Sequence, residues 1–345
     1  MIRIAGWTVS ALALAASTGA LAAPHDKLDV QLSLAQAVVQ GDSDVAVDVA
    51  VTNPTGHAVQ VLKWQLPVGK LQGQLFRITK EDGSPVRYVG PLVKRAAPRA
   101  ADYVTIEAGA TLNYRVELSG RYELGNGRHA IEYVGKGRHG QEAELASAPV
   151  YLWTEGRSAA PAAPDAEGGV HTDATITYTG ACTSSEKTTL ASAVTAATNY
   201  ATSAYNYVSG ISSGTQRYVK WFGTYSASRK NTVTTHFANE VNAFTTKPLT
   251  LDCSCNDSGT YAYVYPTQPY KIYLCGAFWS APMTGTDSKG GTLVHEMSHF
   301  NVVAGTDDWA YGQAAAAALA KSNPTKAVDN ADSHEYFAEN SPYLP

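Results

Sequence analysis

The residues best suited to chemistry form a short motif near the C-terminus, His295-Glu296-Met297-Ser298-His299. On a helix, positions i and i+4 lie on one face, so His295 and His299 can direct ring nitrogens at the same cation. Glu296 falls beside them, where its carboxylate can hold a zinc-bound water and take its proton as general base. The motif therefore predicts a hydrolytic Zn²⁺ site.

The third protein ligand decides which kind of zinc site this is, because a catalytic zinc has three protein ligands and one open position. A metzincin would carry glycine and histidine three and six residues after His299, but Val302 and Gly305 stand there, which excludes that class. A gluzincin would take a glutamate from a following helix, and the next glutamate, Glu335, is distant. Asp308 follows Gly305, whose access to positive φ lets the chain turn back toward the metal. Asp308 is favoured, and Glu335 stays as the alternative.

The segment from Gly305 to Gly312 matches the pattern Gly-Thr-x-Asp-x-x-Tyr-Gly at every fixed position. Together with the His-Glu-x-x-His motif, it resembles the deuterolysin-type, or aspzincin, metalloendopeptidases. The resemblance implies one zinc ion per chain with Asp308 as third ligand, and Tyr311 as a phenol that stabilises the oxyanion. A packed aromatic ring is the alternative for Tyr311. Asp307 falls on a variable position and is expected to be solvated or an acceptor outside the ligand set.

A second acidic pattern lies further along the chain. Asp332 and Glu335 are three positions apart, so both fall on one face of a predicted helix. This stretch resembles the peptidyl-Lys metalloendopeptidases of the same family, which implies that the pair forms the S1′ pocket for lysine and that cleavage occurs before lysine. The planar fork of arginine fits a small pocket less well. An ordinary acidic surface helix is the alternative, and Glu339, one turn on, is expected to be solvated.

The N-terminus predicts export. Residues 1–23 have an early positive charge, an apolar stretch and Ala20-Leu21-Ala22-Ala23 before Pro24, as in a secretory signal peptide. The mature protein is expected to be secreted and extracellular. No other apolar stretch approaches the roughly twenty residues of a membrane span. The net charge of −4 gives no basic surface for nucleic acid or anionic membranes.

The cysteines are even in number and predict disulfides in an oxidising compartment. They are Cys182, Cys253, Cys255 and Cys275. A single residue between Cys253 and Cys255 argues against a zinc knuckle and against a bridge between these two. Two pairings stay open from the residues alone: 182–253 with 255–275, or the crossed arrangement. The family resemblance implies Cys182–Cys253 and Cys255–Cys275.

Composition divides the chain after the signal peptide into three parts. Residues 24–155 contain short alternating runs between Gly, Pro and Asn turns, which predict an antiparallel β-sandwich of immunoglobulin-like size. Residues 156–172 are rich in small residues, Pro and Gly, and are expected to form an exposed linker with a processing site. Residues 173–345 are expected to form the zinc metallopeptidase domain, with one core.

The predicted elements of this last part are an α+β mixture of the zincin-like kind. Helices are predicted at 184–208, 230–244, the metal-binding motif, 311–321 and 328–340, and strand at 261–274. The edge strand of the sheet is expected to line the cleft and bind substrate backbone by β-pairing. The histidines outside the motif lack ligand-like spacing, and surface or structural roles are expected for them.

Two functions of different classes fit these patterns. The first is a secreted, monomeric endopeptidase that acts on proteins and peptides, made as a zymogen in which the β-sandwich is a propeptide covering the cleft. The second is a secreted β-sandwich adhesion or binding protein with a non-catalytic zinc domain, which the presence of Glu296 disfavours. Under the first, a propeptide lysine is a candidate to enter the cleft: Lys63, Lys70, Lys80, Lys94 or Lys136. The linker itself contains no lysine.

Overall fold

The computed structural model describes residues 27–135, 144–158 and 175–345. The predicted signal peptide, most of the predicted linker and Lys136 lie outside these residues. The N-terminal β region, residues 27–158, contains eleven strands and two short 3₁₀ helices within its described part. The strands are β1 (Lys27–Leu34), β2 (Val38–Gln40), β3 (Ala46–Thr52), β4 (Val59–Leu62), β5 (Phe76–Lys80), β6 (Leu92–Arg95), β7 (Tyr103–Ile106), β8 (Thr111–Glu117), β9 (Gly127–Gly135), β10 (Glu144–Ser147) and β11 (Val150–Glu155).

Most strands of the β region form one sheet in the order β2-β11-β9-β10-β1-β3-β8, with β5 also paired to β9. Burial alternates along β3, so that Val47, Val49 and Val51 enter a single apolar core shared by both halves of this sheet. The expectation of a wholly antiparallel arrangement is wrong, because β1 pairs with β10 and β2 with β11 in parallel. Alternation of apolar residues sets which face of a strand is buried, whereas the direction of its partner depends on distant parts of the chain.

The C-terminal region, residues 175–345, is a mixture of helices and strands, as predicted. Its elements are β12 (Ile176–Thr179), α1 (Ser184–Gly210), α2 (Gln216–Phe222), α3 (Ala227–Thr246), β13 (Leu249–Asp252), β14 (Thr260–Val264), β15 (Lys271–Leu274), α4 (Gly276–Ser280), α5 (Lys289–His299), α6 (Gln313–Ser322), α7 (Pro324–Val328) and α8 (Ala331–Glu339). The helices predicted at 184–208 and 230–244 are confirmed as α1 and α3.

Three differences from the predicted elements have local causes. The apolar stretch predicted as strand at 261–274 is two antiparallel strands, β14 and β15, on either side of a turn. The helix predicted at 328–340 begins at Ala331, because the short helix α7 ends at Val328 and Asp329 and Asn330 leave helical geometry. Helix α2 was not predicted, and its start is capped by Thr215, whose hydroxyl accepts from the Tyr218 amide.

The sheet of the C-terminal region includes a strand from the β region. Its order is β12-β13-β15-β14-β6, in which β12, β13 and β15 are parallel and β14 is antiparallel to both neighbours. Strand β6 pairs Val93 with Tyr263 and Lys94 with Ala262, and the register shifts between Thr260 and Ala262. The edge strand that was expected to pair with substrate therefore already has a partner, contributed by residues 92–95.

Both disulfides implied by the family resemblance are present. Cys182–Cys253 joins the chain just before α1 to the end of β13, across a sequence separation of 71. Cys255–Cys275 closes a shorter segment of 20 residues around β14 and β15. Cross-links that close loops of this kind restrict the unfolded chain and so stabilise the fold. None of the helices in the described ranges combines the length and apolarity that crossing a membrane requires.

Candidate active site

Helix α5 carries the His-Glu-x-x-His motif through the centre of the C-terminal region, and every one of its residues is buried. Its N-cap Ser288 accepts a hydrogen bond from the Gly291 amide at 2.9 Å. Gly290 and Gly291 belong to its first turn. A Cβ on Gly290 would lie 2.9 Å from the Cβ of Ala196, and one on Gly291 would lie 2.0 Å from Glu339 Oε1. The two glycines therefore let α1 and α8 approach α5 closely.

Three buried ligand atoms meet at the end of this helix. The Nε2 atoms of His295 and His299 are 3.1 Å apart. Asp308 Oδ1 lies 3.3 Å from His295 Nε2 and 3.4 Å from His299 Nε2. Ligands at about 2.0–2.1 Å from a tetrahedral Zn²⁺ are separated by about 3.3–3.4 Å. The triangle of ligand atoms thus has the dimensions that a zinc ion requires.

The opposite ring nitrogens fix the orientation of both imidazoles. His299 Nδ1 lies 2.8 Å from the backbone oxygen of Thr306, and His295 Nδ1 lies 2.8 Å from Asp332 Oδ1. Because these acceptors hold the Nδ1 protons, each Nε2 presents a lone pair toward the other and toward the Asp308 carboxylate. These lone pairs and the carboxylate repel one another unless a cation lies between them. The residues present therefore fit the zinc ion that the motif predicts.

The loop after α5 returns Asp308 to the histidines. Gly305 adopts φ +62, as its predicted role in reversing the chain requires. The Thr306 amide then donates to Ser298 O at 3.1 Å, and the two hydroxyls are 2.6 Å apart. Asp307 does not belong to the group of ligand atoms formed by His295, His299 and Asp308, and its Oδ1 accepts from the Asp308 amide at 2.9 Å. The division between Asp308 as ligand and Asp307 as outer acceptor stays a prediction, and these positions are compatible with it.

Glu296 lies one residue beyond His295 and is fully buried. Neither of its carboxylate oxygens has a hydrogen-bond partner among the described residues. Burial raises the pKa of Glu296 to about 7, with the neighbouring histidines opposing the shift. A carboxyl group with free oxygens and a pKa close to neutrality has the properties of a general base.

Tyr311 lines one cavity together with Leu92, Arg95 and Asp308. Burial, with the Asp308 carboxylate as a further cause, raises the pKa of Tyr311 well above its usual value, so the phenol keeps its proton and can donate it in a hydrogen bond. The next residue, Gly312, donates its amide to Asp332 Oδ2 at 2.5 Å. The end of the Gly-Thr-x-Asp-x-x-Tyr-Gly motif is thereby attached to α8.

Helix α8 is buried along its whole length, so the alternative of an acidic surface helix is wrong. The expectation that Glu339 is solvated is also wrong. Its Oε1 accepts from the backbone amide and the hydroxyl of Ser288, at 2.9 and 2.8 Å. Burial raises the pKa of Glu339 to about 8. The physical reason is that α8 packs against α1, α2, α5 and α6, so its acidic side chains face other elements and not solvent.

The carboxylates of Asp332 and Glu335 hold an ammonium group from the β region. Lys94 Nζ lies 2.5 Å from Glu335 Oε2, 3.6 Å from Asp332 Oδ1 and 3.6 Å from Asp287 Oδ1. The rings of Tyr261 and Tyr336 lie at 5.3 and 5.8 Å from Nζ. Burial opposes the charge, but the three carboxylates hold the pKa of Lys94 well above its ordinary value.

The lysine pocket adjoins the metal triangle through His295. Asp332 and Glu335 lie 2.8 and 3.4 Å from its Nδ1, on the side of the ring away from His299. Glu335 therefore faces Lys94 and not the triangle, in contrast to the role that the gluzincin alternative would give it. Asp287 was not predicted, because a single aspartate before a helix start forms no pattern in the sequence.

The chain is similar to known proteases. A family model described as the lysine-specific metallo-endopeptidases, Aspzincin M35, matches residues 207–339. An extracellular protease of Aeromonas hydrophila is 44% identical over 343 residues, which are 94% of this chain and 96% of that protein. A peptidyl-Lys metalloendopeptidase of Grifola frondosa is 38% identical over 320 residues, 88% of this chain and 90% of that protein.

The chain belongs to the aspzincin family. A solved zinc peptidase from Grifola frondosa also aligns with it, at 48% identity over 48% of this chain and 100% of that one, with a TM-score of 0.45. The predicted recognition is confirmed, and this aspzincin is a zinc metalloendopeptidase. The alternative of a binding protein with a non-catalytic zinc domain is therefore set aside.

Proposed function

We propose that this aspzincin is exported as a zymogen and, once activated, cleaves peptide bonds on the N-terminal side of lysine. One observation carries the proposal. A lysine ammonium lies in a buried carboxylate pocket that shares His295 with the metal triangle. The residue after the cleaved bond, P1′, must lie next to the metal, so a pocket in this position selects that residue.

His295, His299 and Asp308 are the residues that would hold one zinc ion. When bound, zinc would polarise the substrate carbonyl and lower the pKa of a water molecule. Glu296, with both oxygens free, accepts the proton of the attacking water and delivers it to the leaving amine. Tyr311 keeps its phenolic proton and donates a hydrogen bond to the developing oxyanion.

Strand β6 supports a specific mode of substrate binding. It is antiparallel to β14, with Lys94 opposite Ala262. A substrate strand that pairs with β14 in the same way supplies backbone hydrogen bonds, while the Asp332 and Glu335 carboxylates select its lysine. In this register Lys94 corresponds to P1′ and Val93 to P1.

The same contacts support inhibition by the N-terminal part of the chain, residues 24–155, as a β-sandwich propeptide of immunoglobulin-like size. While β6 is in place, both the pairing edge of β14 and the lysine pocket are taken. Lys63, Lys70 and Lys80 are exposed, whereas Lys94 has 2% of its surface exposed. Activation then requires a cut in residues 156–172 and release of β6. Because these residues contain no lysine, an enzyme that cleaves strictly before lysine would not make this cut itself.

Mapping of cleavage sites tests the proposed specificity. The activated protein would digest a denatured protein mixture, and mass spectrometry would identify the residue on each side of every cut. We expect strong enrichment of lysine at P1′. Cuts without such enrichment would contradict the pocket assignment and leave the zinc site untouched.

Variants of the pocket refine the test. Glu335→Gln and Asp332→Asn should each reduce the enrichment of lysine while zinc content is retained, because an isosteric amide removes the charge that pairs with the ammonium. Glu186→Gln is the matched control, since it removes a carboxylate from the start of α1, outside the pocket. Loss of zinc in Glu335→Gln but not in Asp332→Asn, which also lies at His295 Nδ1, would favour Glu335 as a metal ligand.

A further inference from the structure

The lysine pocket contains a third carboxylate, which comes from a different element than the other two. Asp332 and Glu335 belong to α8, whereas Asp287 lies in the loop that leads into α5. Its Oδ1 is 3.6 Å from Lys94 Nζ, the same distance as that of Asp332. We propose that Asp287 is a specificity-determining residue for lysine at P1′, an inference that rests on the proposed function.

The neighbours of the three carboxylates distinguish their tasks. Asp332 and Glu335 lie at His295 Nδ1 as well as at the ammonium, so they also serve the imidazole that would hold the metal. Asp287 instead accepts a hydrogen bond from the Tyr336 hydroxyl at 2.7 Å. Its charge is therefore directed to the pocket and does not orient a metal ligand.

The local backbone holds Asp287 in position. Asp287 adopts φ +51, a left-handed conformation that a non-glycine residue rarely takes. Its amide donates to Glu339 Oε2 at 3.2 Å, and Glu339 Oε1 accepts from the next residue, Ser288. The loop that caps α5 thus also fixes a carboxylate at the pocket. A fixed carboxylate loses little conformational freedom when it binds an ammonium group.

Exposure separates Asp287 from the other two acids. Its side chain is 40% exposed, whereas those of Asp332 and Glu335 are 2% and 0% exposed. Asp287 therefore lies at the mouth of the pocket, where water and salt screen its charge. Its effect on lysine binding should be modest and should depend on salt, while the effect of Glu335 should be larger and nearly independent of salt.

The test compares Asp287→Asn with wild type in the activated, zinc-loaded enzyme. Two peptides would be used that differ only at P1′, one with lysine and one with Nε-acetyl-lysine, which has a similar stem without the charge. At low salt we expect kcat/KM for the lysine peptide to fall about fivefold, mainly through KM, as for a partly exposed charge pair. The loss should shrink at about 0.5 M salt. Zinc content should not change, and the loss on the acetyl-lysine peptide should be clearly smaller than the loss on the lysine peptide.

Two further variants separate charge recognition from loop structure. Thr286→Ala alters the adjacent loop residue, whose hydroxyl donates to Ser341 O, and should leave both peptides unaffected. Tyr336→Phe removes the hydrogen bond that orients Asp287 and should reproduce part of the loss. In the double variant Asp287→Asn with Tyr336→Phe, the ratio of kcat/KM for the lysine peptide to kcat/KM for the acetyl-lysine peptide should equal the ratio in Asp287→Asn alone.

These experiments distinguish a failure of the role proposed for Asp287 from a failure of the proposed lysine specificity. If wild type did not prefer lysine over acetyl-lysine, the proposed specificity itself would be wrong. If wild type preferred lysine and Glu335→Gln lost that preference, an unchanged Asp287→Asn would overturn only the role of Asp287. An equal loss on both peptides would overturn it too, because the residue would then act through the loop alone.

Discussion

Two buried sites for a positive charge lie side by side in this aspzincin and share the imidazole of His295. The metal triangle draws its ligands from residues 295–308, with separations of 3.1 to 3.4 Å. The lysine pocket draws carboxylates from the loop before α5 and from α8, and its present occupant, Lys94, is 241 positions from Glu335. One site is local in the sequence and the other is assembled across the molecule.

The difference reflects what each charge needs. A zinc ion requires lone pairs placed within a few tenths of an ångström, and one helix with one turn can supply that placement. An ammonium group on a flexible stem accepts a wider range of distances, here from 2.5 to 3.6 Å, so separate elements can share the task. The residues proposed for hydrolysis therefore lie in a short motif, while the proposed selectivity and the proposed inhibition depend on how distant segments pack.

The largest expected effect concerns the metal triangle. Glu296→Gln should lower kcat by about 10²–10⁴-fold while zinc remains bound, because in the proposed mechanism Glu296 takes the proton of the water and does not ligate the metal. Asp308→Ala should lose both zinc and activity, since it removes one corner of the triangle. Activity assays with metal analysis on the purified variants measure both effects.

Asp307→Ala is the matched control, because it removes a carboxylate one position away that does not face the histidines. It should keep zinc and most of the activity. A zinc-free Asp307→Ala protein, or a fully active Glu296→Gln protein, would contradict the division of roles between these residues.

The next effect concerns the occupant of the pocket. Lys94→Ala leaves the three carboxylates without their partner, and removal of one member of a buried ion pair costs about 3–5 kcal/mol. In a full-length chain that carries Glu296→Gln and is nicked within residues 156–172, the N-terminal fragment should dissociate at least about a hundredfold more readily. Size-exclusion chromatography over a dilution series measures this.

Lys80→Ala is the control for this experiment, because Lys80 is an exposed lysine of the same region. It should leave the fragment as tightly bound as in the parent. If Lys94→Ala and Lys80→Ala behaved alike, the pocket would not anchor the propeptide, and the zinc site alone would define the cleft.

The smallest effect concerns the helix that carries the pocket. His334 of α8 and His236 of α3 are in contact, with His236 Nδ1 3.0 Å from His334 Nε2. Burial lowers the pKa of His334 to about 3 and that of His236 to about 4, from 6.5. As pH falls from 6.5 toward 4, the unfolded chain binds protons that the folded chain does not, so the free energy of unfolding should decrease.

Urea unfolding of the full-length Glu296→Gln chain at several pH values measures this decrease. His236→Gln should make stability less dependent on pH in that range, because one of the two neutral histidines is gone. His57→Gln, which alters an exposed histidine, is the control. A pH dependence unchanged by His236→Gln would show that the pair does not govern acid stability.

Much of the catalytic region could be predicted because its signals are local. The histidine spacing, the turn at Gly305 and the helical pattern of α1 each involve residues a few positions apart, and the structure agrees with all three. The burial of α8 could not be predicted, since a helix with Asp332, Glu335 and Glu339 is typical of a surface. Its acids are stabilised by Lys94, His295 and Ser288, none of which is near in sequence.

The sequence by itself determined the family of this protein and the residues proposed as its zinc ligands and general base. Only the tertiary structure decided which lysine meets the pocket and which third carboxylate surrounds it. The physical reason is the pairing of β6 with β14, which depends on backbone hydrogen bonds that nearly any residues can make. The local sequence of residues 92–95 therefore does not predict which strand they pair with. The register of the β6–β14 pairing places Lys94 in the pocket.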